Sequence, residues 1–101
     1  MPAYLVGSYT IVDPEKYQQY VAKVGATLAP YNPKILVAGH EHTVVEGNPQ
    51  PATIIIEFES KESAEKWYNS SEYQEIIHLR HEASGEGGWL IFAEQFIPPQ
   101  E

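Results

Sequence analysis

The chain has no cysteine and only one arginine, Arg80. Without cysteine there is no disulfide, no thiolate nucleophile and no sulfur ligation of a metal or cluster. Basic residues are scarce throughout, six against 14 acids, for a net charge of −8. Such a balance repels nucleic-acid backbones and anionic membrane surfaces on average. Lys16, Lys23, Lys34, Lys61, Lys66 and Arg80 are scattered, so no local cluster reverses that average. Neither nucleic acid nor membrane is an expected partner. No apolar run approaches the ~20 residues of a membrane-spanning helix. The opening MPAYLVGSYT lacks the basic start and long apolar stretch of a signal peptide, so a cytoplasmic location is expected. GxSxG, GxGxxG, P-loop and HExxH motifs are also missing.

What remains is 43% hydrophobic and 20% charged over 101 residues, which fits one globular domain spanning residues 1–101 with a single modest core. Tyr4 to Val12 reads as a strand, with Tyr4, Val6 and Ser8 on one face and Leu5, Gly7 and Tyr9 on the other. Asp13-Pro14-Glu15 starts a helix: aspartate caps, proline fits the first turn, and glutamate suits the positive end of the dipole. Tyr17, Tyr20, Val21, Val24 and Leu28 form its apolar stripe. Lys34 to Glu46 reads as a second extended segment with a bulge or bend at Gly39. Ala52 to Phe58 reads as a third strand, whose unbroken isoleucines suggest burial on both faces. Ser60 caps a helix through Tyr68, and Ser71 with Gln74 reads as the capping box of a further helix ending near Arg80. Trp89 to Ile97 reads as the last strand, stopped by Pro98-Pro99.

This order, βαββαβ, predicts an α+β fold of the ferredoxin-like kind: a four-stranded antiparallel sheet with helices on one face. The other face also carries large apolar side chains. Apolar area left in water is a drive to associate at about 25 cal/mol per Å², so a homodimer packed sheet to sheet is expected.

With these residues in place, the chain resembles the DUF1330 family, within the dimeric α/β-barrel superfamily, over about Ala3 to Phe96. The matching pieces are Ala3-Tyr4-Leu5, Asp13-Pro14-Glu15 with Tyr17 and Tyr20, Val45-Glu46-Gly47, and Glu57-Phe58. The most specific is Trp67-Tyr68-Asn69-Ser70-Ser71-Glu72-Tyr73-Gln74 followed by Arg80. Relatives carry an arginine–glycine–glycine-like run where this chain reads Ala38-Gly39-His40, so a role resting on that arginine does not carry over. The resemblance implies a ferredoxin-like protomer and a sheet-to-sheet dimer. It implies no particular reaction. Relatives by fold include cofactor-free monooxygenases, lactone isomerases and haem-dependent enzymes, which shows only what the scaffold can host.

The stretch Glu57–Arg80 holds the sharpest candidate. Tyr73, Ile76, Ile77 and Arg80 share one helix face, and burying a guanidinium costs several kcal/mol or more unless something faces it. Glu57 interrupts an apolar strand and is the expected partner. Two readings stay open: a structural Glu57–Arg80 ion pair, or a site in which Arg80 binds an anionic oxygen and Glu57, a tyrosine or His40 moves a proton. Tyr17, Trp67, Tyr68 and Tyr73 are the candidate ligand-binding residues, within a larger aromatic set that includes Tyr9 and Tyr20. Each combines an apolar body with a polar tip, as a small aromatic or polyketide-like ligand requires, and each is equally compatible with core packing. His40 and His42 alternate along the expected strand and share a face with Glu46; His78 or His81 would have to complete a metal set. That spacing is generic, and a solvated edge strand accounts for it better, so no metal and no cofactor is expected. The functional expectation is a cofactor-independent enzyme acting on a small organic acid or polyketide-like substrate; the alternatives are a non-catalytic ligand-binding protein and a structural dimer module.

Overall fold

A computed structural model of the chain describes residues 1–99. Its elements are β1 (Ala3–Tyr9), α1 (Pro14–Leu28), a 3-10 turn (Ala29–Tyr31), β2 (Lys34–Gly39), β3 (Ala52–Phe58), α2 (Lys61–Tyr68), α3 (Ser71–Ala83) and β4 (Trp89–Glu94). The strands form one antiparallel sheet in the order β2-β3-β1-β4, the expected ferredoxin-like arrangement. No helix among the described residues is long and apolar enough to cross a membrane.

Register decides which face each side chain occupies. Leu5 stands opposite Ile56 and Phe92, and Gly7 opposite Ile54 and Leu90. These residues, with Phe58 and Tyr9, face the helices. Trp67, Tyr73 and Phe58 are the largest fully buried side chains, and the Trp67 and Tyr73 rings lie 4.1 Å apart. Trp67 Nε1 donates to Thr27 Oγ1 at 3.0 Å, which fastens α2 to α1. An aromatic contact of this kind adds about 0.5–1.5 kcal/mol beyond its area.

The opposite face carries Tyr4, Val6, Ile55, Glu57, Trp89 and Ile91, by the alternation of strand side chains. No helix covers it. The isoleucine run is therefore split: Ile54 and Ile56 point to the helices, and Ile55 points to the open face.

The caps follow local chemistry. Asp13 Oδ1 accepts from the Lys16 amide at 3.1 Å, as expected, and Ser60 Oγ accepts from the Ser63 amide at 3.0 Å. The α3 cap is Ser70 and not Ser71: its Oγ accepts from the Tyr73 amide at 3.2 Å and donates to the Trp67 carbonyl at 2.7 Å. One hydroxyl thus joins the end of α2 to the start of α3. Gln74 leaves the expected box and donates to the Tyr68 carbonyl at 2.6 Å.

Three strands are shorter than expected. β1 stops at Tyr9, because the Val12 and Asp13 amides turn to the Ala83 carbonyl. β2 stops at Gly39, and residues 40–51 form a loop. Its partner β3 begins only at Ala52, after Pro49 and Pro51, which have no amide to offer a ladder. The bulge lies between Ile35 and Val37 and not at Gly39. β4 stops at Glu94, opposite Ala3, because β1 offers no further strand partner.

Candidate functional site

The site is built where α3, α1 and the end of β1 meet. Tyr73, Ile76 and Arg80 lie three, four and seven apart and share the buried face of α3. Arg80 stands in the last turn, where the helix dipole favours a cation, yet it is only 8% exposed. Tyr9 ends β1 on the helix-facing side. Tyr17 and Tyr20, three apart on α1, point back at both.

The hydroxyls pair in sequence. Tyr9 and Tyr17 share a hydrogen bond of 2.7 Å, and Tyr20 and Tyr73 share another of 2.7 Å. Arg80 Nε donates to the Tyr73 hydroxyl at 3.3 Å. The Arg80 Cζ lies 5.7 Å from the Tyr9 ring centroid, within cation–π range. Arg80 Nη2 lies 3.4 Å from His81 Nε2. An arginine can only donate, so that ring nitrogen accepts and the imidazole proton sits on Nδ1.

Electrostatics follow from this packing. Burial pushes the Tyr9 and Tyr20 hydroxyls well above the ordinary phenol range, and their hydrogen-bonded tyrosines add to it; the Arg80 charge offsets only part. Both phenols therefore stay protonated. Burial works against the Arg80 charge, but the Tyr73 oxygen, with those of Tyr20 and Tyr9, outweighs it, and the guanidinium stays charged. Burial and then Arg80 hold the His81 imidazole below its usual range, so it is neutral near pH 7.

Among the described residues no carboxylate lies within ion-pairing distance of Arg80. The ion pairs present are Lys16–Glu82, Lys34–Glu57 and Lys61–Glu94. The expected Glu57–Arg80 pair does not form. Glu57 stands opposite Tyr4 on the open face of the sheet, and its Oε2 lies 3.8 Å from Lys34 Nζ. The whole sheet separates it from Arg80. His40 is not brought to the site either: it is exposed in the loop after β2. The histidine alternation is lost with that strand, and His42 instead meets Thr53 Oγ1 at 3.2 Å. No group of histidine and acidic side chains suited to a metal forms among the described residues.

Two cavities meet at Arg80. The inner one, about 150 Å³, lies between helices and sheet and is lined by Tyr17, Tyr20, Trp67, Tyr73, Ile54 and Ile56, among others. The outer one, about 340 Å³, opens to solvent past Tyr68, His81, Ser84, Gly88 and Trp89. Arg80, Tyr9 and Leu90 line both. Arg80 Nη1 makes no hydrogen bond among the described residues, and no fully buried side-chain nitrogen lacks a partner. Nη1 is therefore open to a cavity. All four expected aromatics line these spaces, Tyr17, Trp67 and Tyr73 the inner and Tyr68 the outer. His81, Tyr9 and Tyr20 complete the cluster around Arg80. The alternation of β1 and the three-residue spacing on α1 carried a signal for the tyrosines; in the sequence His81 stood out only as a possible metal ligand and not as a neighbour of Arg80 in a site.

The fold and this arrangement define a ferredoxin-like α+β protein with a pocket between its helices and sheet. The chain belongs to the DUF1330 family, a domain of unknown function, whose model matches residues 2–93. No curated protein sequence matches it significantly. Among solved structures it is similar to RPA0582, a protein of unknown function from Rhodopseudomonas palustris, at 17% identity and TM-score 0.75, covering 96% of this chain and 84% of that one. A dimeric ferredoxin-like protein of unknown function from Jannaschia sp. CCS1 matches at 12% identity and TM-score 0.70, over 94% and 100% of the two chains. SnoaB, a cofactor-independent oxygenase from Streptomyces nogalater, matches at 13% identity and TM-score 0.61, over 97% and 98%. At these identities the likeness concerns the fold.

Proposed function

We propose that the protein is a homodimer in which each protomer binds a small organic acid, with the acid's anionic oxygen on Arg80, and turns it over by proton transfer without a metal or organic cofactor. The observation that carries this reading is a buried, charged Arg80 with no carboxylate partner among the described residues, at the junction of two cavities. A fold gains nothing from desolvating an unpaired charge. A site for an anion does, because a preorganised guanidinium in a water-poor pocket binds carboxylate or enolate oxygen strongly. His81, neutral and beside Arg80, has one basic ring nitrogen, Nε2, which accepts from Arg80 Nη2; it becomes the group placed to take a proton from carbon next to a carbonyl once the bound oxygen draws the guanidinium off that nitrogen. It takes the role that Glu57 and His40 do not reach. The fold-level likeness to a cofactor-independent oxygenase is compatible with such chemistry.

The dimer rests on the open sheet face. Trp89 and Ile91 are about half exposed there, beside Val6 and Ile55 on neighbouring strands. A second copy placed sheet to sheet would cover them.

Two experiments test the reading. Small carboxylic acids, beginning with acetate, pyruvate and acetoacetate, are titrated into ¹⁵N-labelled protein, and bound keto acids are followed for deuterium uptake in D₂O. Shifts around Arg80 with exchange lost in His81→Gln are expected. Binding without exchange would remove the catalytic part, and no binding would remove the site. For the dimer, Ile91→Lys is expected to sediment as a monomer where the parent sediments as a dimer; a monomeric parent contradicts it.

A further inference from the structure

The inner cavity says more about the acid than Arg80 alone does. Its tyrosine hydroxyls are occupied with one another: Tyr20 with Tyr73, and Tyr17 with Tyr9. What they leave toward the cavity is ring carbon, joined by Ile54, Ile56 and Leu90. Arg80 is the only charged residue among the described residues of that lining. The volume of about 150 Å³ is small, and the space opens to solvent past the exposed Val21, Ile35 and Ala38. Apolar cavities of about that size stay dry and accept benzene. Five aromatic rings, those of Tyr9, Tyr17, Tyr20, Trp67 and Tyr73, stand among the aliphatic walls, and aromatic pairs prefer tilted or edge contacts that hold a flat ring in place.

Gly7 lies in β1 between Leu5 and Tyr9, which both line this cavity. A β-carbon built there would stand 2.5 Å from Leu90 Cδ2, and 3.6 Å from both Ile54 Cβ and Tyr9 Cε2. All three of those residues line the inner cavity. A side chain at this position would force Leu90, which lines both cavities, to move at the wall of the chamber. The missing side chain at Gly7 thus keeps the chamber open.

We infer that the ligand is a monocyclic aryl acid, with one six-membered ring in the inner chamber, its carboxylate on Arg80 at the neck, and any further polar group in the outer cavity. This rests on the reading of Arg80 as an anion site and narrows it. It sets such acids apart from fused polycyclic ones, whose second ring would have to displace packed side chains or leave the chamber past Val21, Ile35 and Ala38.

The test is calorimetric titration of the full chain with acetate, benzoate and 2-naphthoate at neutral pH, repeated on Gly7→Ala and Arg80→Met. Benzoate is expected to bind at least about tenfold more tightly than either of the others, since an added ring that must displace packed side chains costs at least that much. Gly7→Ala should lose most of the benzoate advantage and keep its response to acetate, with an unchanged far-UV spectrum. If 2-naphthoate binds as well as benzoate, and binding still depends on Arg80, the single-ring inference fails while the anion site stands. If Gly7→Ala binds benzoate like the parent, the chamber is not where the ring sits and the inference also fails. If no acid binds, or Arg80→Met binds them all equally, both readings fall. The ligand series on the unaltered protein decides the matter even if Gly7→Ala does not fold.

Discussion

Arg80 donates through Nε to the hydroxyl of Tyr73 at 3.3 Å, from two turns further along the same face of α3. That hydroxyl also meets Tyr20 at 2.7 Å. Tyr73 therefore connects the guanidinium to α1 and is the only side-chain oxygen among the described residues that bonds Arg80.

Removing that oxygen should matter more than its size suggests. Tyr73→Phe leaves the Arg80 Nε and the Tyr20 hydroxyl without their partner, and both are buried. A loss of about 1–3 kcal/mol is expected for stranding such groups. Tyr20→Phe should cost less, because Tyr73 keeps Arg80. Urea unfolding at one fixed protein concentration measures both. Equal losses, or none for Tyr73→Phe, would contradict the arrangement.

His81 should leave a signature in the pH dependence of stability. Its folded pKa is depressed by burial and by Arg80. As pH falls through about 6.5, the unfolded chain takes a proton that the folded protein resists, so stability declines. The decline ends once pH is below the folded value. Above about pH 7 both states are neutral at this residue and it contributes no slope. In His81→Gln the stability profile should be flatter over that window. An unchanged profile would show that the imidazole is not held neutral beside the guanidinium.

Much of the fold was readable because strand and helix periods place residues on faces without long-range information. The stripe Tyr73, Ile76, Arg80 emerged in that way, and so did the alternation of β1. Glu57 shows the limit. Its parity with Ile55 put both on one face, but which face is core depends on pairing with β1, where Glu57 meets Tyr4. A run of three isoleucines hid that choice by being apolar on both sides. His40 failed for another reason: an edge strand lasts only while its neighbour does, and β3 starts at Ala52. Ser70 and Ser71 are adjacent and equally suited to cap, so only the geometry of the α2–α3 junction separates them. The cavities depend on all of these elements at once and left little local trace.

Two glycines should respond oppositely to alanine. At Gly88 a β-carbon would stand 2.6 Å from Tyr9 Cβ and 3.1 Å from both the Ser8 carbonyl oxygen and Tyr9 Cα. Backbone atoms cannot swing aside, so the turn before β4 must lift away from β1. A cost of about 1–3 kcal/mol is expected from such overpacking. At Gly25, inside α1, nothing lies within 4 Å. Gly25→Ala should stabilise by about 0.5–1 kcal/mol through helix propensity. Thermal unfolding of both variants separates close approach from mere flexibility; a neutral Gly88→Ala would contradict the close approach.

The central claim is that Arg80 is kept for an anion and not for a carboxylate of the fold. It is tested most directly by thermal unfolding of the parent and Arg80→Met, with and without benzoate, at one protein concentration because a dimer's midpoint depends on it. Methionine removes the charge and strands no acid, so the variant should be within about 1 kcal/mol of the parent or more stable. Benzoate should raise the midpoint of the parent and leave that of Arg80→Met unmoved. A variant that loses about 3–5 kcal/mol, the cost of stranding a buried partner charge, beside a parent indifferent to every acid tried, would show that Arg80 serves the fold instead.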